Sequence, residues 1–144
     1  MIHDLFDFRN LDPNFVEIKP WGTKYNLYTD HFTSTDVCWV KAGGHCSWHF
    51  HEHQYNAFFV LSGRLKIIRE YKPESSNKVI QIIGTQEEHR RAFIHPLHKH
   101  KFIAHDGECV FVEMGNVRYS KDDIFRDQTD LGGLDSSLRE PSGQ

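Results

Sequence analysis

Apolar and polar positions alternate over short runs along most of the chain, and no helical stretch of ordinary length precedes residue 120. A turn marked by Pro20 and Gly22 leads to a short strand around Tyr25 to Tyr28. "HFTSTDVCWVKA" (31–42), rich in β-branched and aromatic residues, predicts a second strand that ends at Gly43 and Gly44. The run 47–56 predicts a third. "NAFFVLSGRLKIIREY" (56–71) reads as two apolar strands joined by a tight hairpin at Ser62 and Gly63. Residues 78–83, 90–95, 100–104 and 108–114 complete the set. Short strands at such even spacing predict an all-β fold, a small antiparallel sandwich or barrel, with Phe58, Val60, Phe102 and Phe111 packed inside. The expected organisation is an N-terminal arm (1–16), a barrel (17–118) and a polar C-terminal segment (119–144) that is mobile at its end.

The 144 residues suit a single domain with its own core. A formal net charge of −3 offers no general attraction to nucleic acid or an anionic membrane, and no stretch is long and apolar enough to span a bilayer. Cys38, Cys46 and Cys109 stand at wide, unpatterned spacing, which fits neither a disulfide framework nor a Cys-rich zinc site. Together with a start that lacks the features of a signal peptide, they point to a reducing cytoplasm.

The eleven histidines need a chemical reason. In "SWHFHEHQYN" (47–56), strand alternation puts His49, His51 and His53 on one face and turns Phe50 and Glu52 to the other. Imidazoles two residues apart can converge on one ion. The competing reading is an exposed polar face, or core histidines bonded to one another or to the backbone.

Gly43, His49, His51, position 56 and Gly63 fall on the spacing of the first motif of the cupin superfamily, Gly-x5-His-x-His-x3–4-Glu-x6-Gly, and "FIHPLHKHKF" (93–102) resembles the second. The resemblance implies a double-stranded β-helix of jelly-roll type, commonly paired as a homodimer. It also implies a divalent metal ion (Zn, Mn, Ni, Co or Fe) held by His49, His51 and His100, with His98 as a rival for the last. Position 56 is Asn where the superfamily has Glu. Asn56 offers a neutral carbonyl oxygen, so the ion would keep its full charge and favour an anionic ligand. His53, His45, His95 and His98 are weaker candidates. Of the nearby carboxylates, Glu113 is the better choice for acid–base work because alternation turns Glu52 away. Lys99, Lys101 and Arg64 are cations that could meet an anionic substrate.

A narrower resemblance joins "KPWG" (19–22), the run 47–63 and "KDDIFRDQTDLGG" (121–133) to the cupin domain of type II mannose-6-phosphate isomerases. Trp21, Ser47, His51, Gly63, Asp122, Asp123, Ile124 and Arg126 agree with that family. The polar site positions differ: His49 replaces Gln, Gln54 replaces Arg and Asn56 replaces Glu. The resemblance implies a metal-dependent isomerase or epimerase acting on a small anion such as a phosphorylated sugar. Three histidines around an open iron site also resemble the thiol dioxygenases, so an Fe(II) dioxygenase or lyase is the alternative. A sugar- or metabolite-binding protein without catalysis is the third reading.

Overall fold

A computed structural model describes residues 11–70, 77–116 and 123–134. Asp12 caps a 3-10 turn at Pro13–Phe15 through the Asn14 amide, and thirteen strands come after it among the described residues. They are β1 (Val16–Lys19), β2 (Gly22–Thr29), β3 (Thr33–Val40), β4 (Gly44–His45), β5 (His49–Phe50), β6 (Asn56–Ser62), β7 (Arg64–Glu70), β8 (Lys78–Gly84), β9 (Arg91–Ile94), β10 (Lys99–Ala104), β11 (Cys109–Asn116), β12 (Phe125–Arg126) and β13 (Gly133–Leu134). Every pairing is antiparallel.

One sheet runs β1-β2-β3-β11-β6-β9. In the other, β10 pairs with β7 on one side and with β5 and β4 on the other; β8 adds beyond β7, and β12 and β13 add beyond β5 and β4. The chain crosses between the sheets repeatedly, from β3 to β4, β5 to β6, β6 to β7, β8 to β9, β9 to β10, β10 to β11 and β11 to β12, which makes the architecture a jelly roll. Among the described residues its two sheets face each other without closing into a continuous hydrogen-bonded barrel.

The predicted hairpin at Ser62–Gly63 is instead a crossover. β6 pairs with β11 and β9, whereas β7 pairs with β10 and β8, so the chain changes sheets at this point. Gly63 has φ +78°, and a Cβ there would stand 2.4 Å from the Glu108 carbonyl oxygen. The sequence signal was a genuine glycine requirement, but close backbone approach at a corner imposes it rather than a two-residue turn.

Alternation is clearest in β6 and β10, whereas β3 and β11 bury consecutive residues. Asn56, Phe58 and Val60 of β6 point inward, as do His100, Phe102 and Ala104 of β10. Phe58, Phe102 and Phe111 meet edge to face with centroids 5.1–6.2 Å apart, and Trp21 joins Phe102 at 5.2 Å. Full burial of each such ring stabilises the fold by about 2–3 kcal/mol, and the edge-to-face contacts add to that. Trp21, Phe58 and Phe102 of this cluster line the same cavity as the buried histidines. The 119–144 segment contributes β12 and β13 to the second sheet; its residues 119–122 and 135–144, and residues 1–10 of the expected N-terminal arm, lie outside the described set.

Candidate metal centre

β5 and β10 lie side by side with His49 directly opposite His100, so the two imidazoles leave the sheet on one face. His51 comes one residue after the end of β5. The ligand atoms of these three side chains lie within 4.8 Å of one another, and the ring centroids are 4.5, 5.0 and 5.9 Å apart. All are deeply buried: His49 is 8% exposed, His51 3%, His100 2% and the adjoining Asn56 4%.

One nitrogen of each ring is already committed. His49 Nδ1 lies 2.7 Å from the Ser47 carbonyl oxygen, His51 Nδ1 2.6 Å from that of Asp123, and His100 Nδ1 2.9 Å from that of His98. A carbonyl oxygen only accepts, so each Nδ1 carries the proton and each Nε2 presents a lone pair. His100 Nε2 and Asn56 Oδ1 are buried with no hydrogen-bond partner. Both are acceptors in the wall of one cavity of about 260 Å³, and they are the kind of group a cation satisfies. The donor set therefore fits a divalent metal ion.

Electrostatics agree with neutral ligands. Burial pushes the His100 pKa down to about 4, with the neighbouring His51 and Arg69 acting in the same direction. Burial also holds His49 well below its ordinary value, aided by His100, then His51, and by a contribution from Arg126. Such rings stay unprotonated near neutrality, as metal ligation requires.

The structure sorts the weaker candidates. The histidine run is a strand only at His49–Phe50. Beyond it the Asp123 carboxylate accepts the backbone N–H groups of Glu52, His53 and Gln54 at 2.7, 3.2 and 3.1 Å and bends the chain into a loop. His53 thus leaves the shared face predicted for it: its side chain is 73% exposed and stands 3.8 Å from Glu52. His98 supplies its carbonyl oxygen to His100, while its ring meets that of His95. Lys99, Lys101 and Arg64 are engaged elsewhere, with Asp127, Asp130 and the pair Asp106 and Glu87 respectively. Cys38, Cys46 and Cys109 are free thiols, all buried, and burial raises each thiol pKa.

Glu113 does line the cavity, together with Lys24 and Arg126. The Glu113 charge is the largest influence that raises the Lys24 pKa; burial opposes it and Asp36, 3.1 Å away, reinforces it. Lys24 was not anticipated, because nothing in the pattern of β2 distinguishes it from other half-buried lysines. Asp123 was visible only as part of a matching segment, without a role. The structure gives it one: its carboxylate fixes the loop after His51 and its carbonyl oxygen orients the His51 ring.

No protein-family model and no curated protein matches the chain. Solved structures do. The fold is similar to that of capsular polysaccharide assembling protein CapF from Staphylococcus aureus, with TM-score 0.70 and 15% identity over 84% of this chain and 33% of that one. CapF with inhibitor 3-isopropenyl-tropolone gives TM-score 0.67 and 16% identity over 77% and 33%. Oxalate decarboxylase from Bacillus subtilis gives TM-score 0.64 and 12% identity over 84% and 31%. The chain spans about a third of the length of each of these proteins. No helix among the described residues is long and apolar enough to cross a membrane. The two-sheet jelly roll, the inward histidines of β5 and β10 and the similarity to these cupin-fold structures together assign the chain the cupin fold.

Proposed function

We propose that the protein is a metal-dependent cupin-fold enzyme that takes a small anionic substrate, with His49, His51 and His100 as ligands and Asn56 as a neutral fourth. The observation that carries this reading is the orphaned pair of buried acceptors, His100 Nε2 and Asn56 Oδ1, beside three rings whose other nitrogens are all tied to carbonyl oxygens. A divalent ion bound there supplies Lewis-acid polarisation of a substrate oxygen. Because all four ligands are neutral, no ligand offsets the charge of the ion, which favours a carboxylate, phosphate or enolate.

The remaining roles fall to the wall of the cavity. Glu113, a carboxylate of that wall, would accept a proton from carbon next to a bound carbonyl, as an aldose–ketose isomerisation requires. Lys24 keeps a positive charge beside it. The resemblance to type II mannose-6-phosphate isomerases supports a sugar phosphate as the substrate, although their Glu and Arg are Asn56 and Gln54 here. Elemental analysis of the chain purified without added metal, followed by thermal-shift titration with sugar phosphates, tests the reading. Zinc, manganese, nickel or cobalt near one per chain, with stabilisation by sugar phosphates, is expected. A chain that takes up no metal overturns it. The acid-free ligand set also favours a second reading, a three-histidine Fe(II) dioxygenase or lyase, and iron in the purified chain selects it.

A further inference from the structure

The histidine cavity adjoins a second chamber of about 460 Å³, and Lys24, Glu113 and Arg126 belong to the walls of both. Three cations line both: Lys19 of β1, which pairs with Glu17, and Lys24 of β2 come from one sheet, and Arg126 of β12 comes from the other. They differ in how their charge is answered. Lys24 sits 3.1 Å from Asp36 and close to Glu113, so two carboxylates compensate it. Arg126 makes no ion pair among the described residues. Its direction is set by the ladder: Arg126 pairs directly with His49, and residues opposite one another on antiparallel strands project to the same face. Arg126 is solvent-exposed, lies on the face of the second sheet that carries His49 and lines both chambers.

From this we infer that the outer chamber is a subsite for a second oxyanion of the substrate, a phosphate or carboxylate a few bonds away from the oxygens at the histidine site, and that Arg126 holds it. The planar fork of Arg suits either group through two parallel N–H donors. The inference rests on the metal reading of the inner chamber for the substrate's other end. It makes Arg126 a specificity-determining residue, one that distinguishes a doubly anionic substrate from its truncated analogue.

The test compares three hydroxy acids that share one metal-binding head: glycerate, 3-phosphoglycerate, which carries a phosphate on the terminal hydroxyl, and malate, which has a carboxylate in place of that hydroxyl. Titration calorimetry on the cobalt-loaded full chain is expected to show 3-phosphoglycerate or malate, or both, binding at least about tenfold more tightly than glycerate, the size of one lost charge-assisted contact. Which of the two gains identifies the oxyanion. Arg126→Gln should reduce the gain to less than about threefold, on the same scale, while glycerate affinity and cobalt content stay unchanged. Arg126→Lys should keep part of it. Equal affinities for all three acids in the unsubstituted protein, or a gain that survives Arg126→Gln, overturns the inference. Inorganic phosphate added to the metal-free chain tests the subsite separately: it should raise the melting temperature of the unsubstituted protein and not of Arg126→Gln, and equal rises overturn the proposal. Failure to take up cobalt would instead sink the metal reading and leave the phosphate comparison to decide the role of Arg126.

Discussion

Asp123→Ala removes a carboxylate that accepts three backbone N–H groups, and the cost can be worked from those three contacts. The bonds to Glu52, His53 and Gln54 are 2.7, 3.2 and 3.1 Å long, and a hydrogen bond to a charged acceptor contributes about 1.5–3 kcal/mol. Glu52 and His53 are exposed, so water can replace much of what their N–H groups lose, and the net destabilisation is about 2–3 kcal/mol. For a domain of this size that lowers Tm by about 5–10 °C. Burial raises the Asp123 pKa, yet the three donors hold it below its ordinary value. The clamp therefore favours the ionised form; it is fully present above the unfolded carboxylate value of about 4 and weakens as pH falls below that. The larger effect should be on the metal. The Asp123 carbonyl oxygen that accepts the His51 Nδ1–H is held in place by the same clamp, and loss of such an outer partner weakens metal affinity by about 10–100-fold. Zinc affinity, measured by competition with a chromophoric chelator, and thermal unfolding of the metal-free protein separate the two effects. Zinc affinity within twofold of the unsubstituted protein, alongside the expected loss of Tm, would refute the claim that Asp123 orients His51.

His51→Ala should abolish metal uptake, whereas His53→Ala should leave it unchanged, because the His53 side chain is solvent-exposed; elemental analysis of both variants decides. In the metal-stripped protein, His100 takes its proton at about 4 and the unfolded chain near 6.5, so stability should fall as pH drops across that window, by about 3 kcal/mol from this residue, seen as a falling denaturation midpoint. Asn56→Asp exchanges a neutral ligand oxygen for an anionic one of the same shape; metal affinity should rise by about tenfold or more, and oxyanion affinity should fall, by calorimetry. Gly63→Ala should destabilise by about 2–4 kcal/mol, since its φ is positive and the new Cβ would meet the Glu108 carbonyl oxygen, and urea unfolding measures it.

What the sequence shows and what it hides have different physical origins. Strand alternation is local, and β6, β7, β8, β10 and β11 all fall within a residue or two of where their apolar runs place them. Pairing is not local. The dipeptide Ser62–Gly63 announces a sharp change of direction, but only the registers of β6 with β11 and β7 with β10 reveal that the chain changes sheets there. The histidines divide the same way. The spacing of His49 and His51 could be read from the chain, whereas the choice between His98 and His100 needed the carbonyl oxygen of His98 to be seen accepting from His100. His53 escaped the alternation because the agent that ends the strand, Asp123, lies about seventy residues away in sequence.

Across that same sequence distance, the chemical centre depends on a segment that looks peripheral. Asp123 orients one imidazole, Arg126 pairs with the strand that carries another, and Ile124 and Leu131 close the cavity wall. The segment is held by Lys99 with Asp127, by Lys101 with Asp130 and by backbone bonds from Trp48 to Asp130 and from Asp127 to Trp48. These ion pairs are half-buried and add to an attachment that the backbone pairing of β12 and β13 defines. The pairing of two very short strands therefore holds in place the segment whose Asp123 orients the His51 ring and whose Arg126 lies opposite His49.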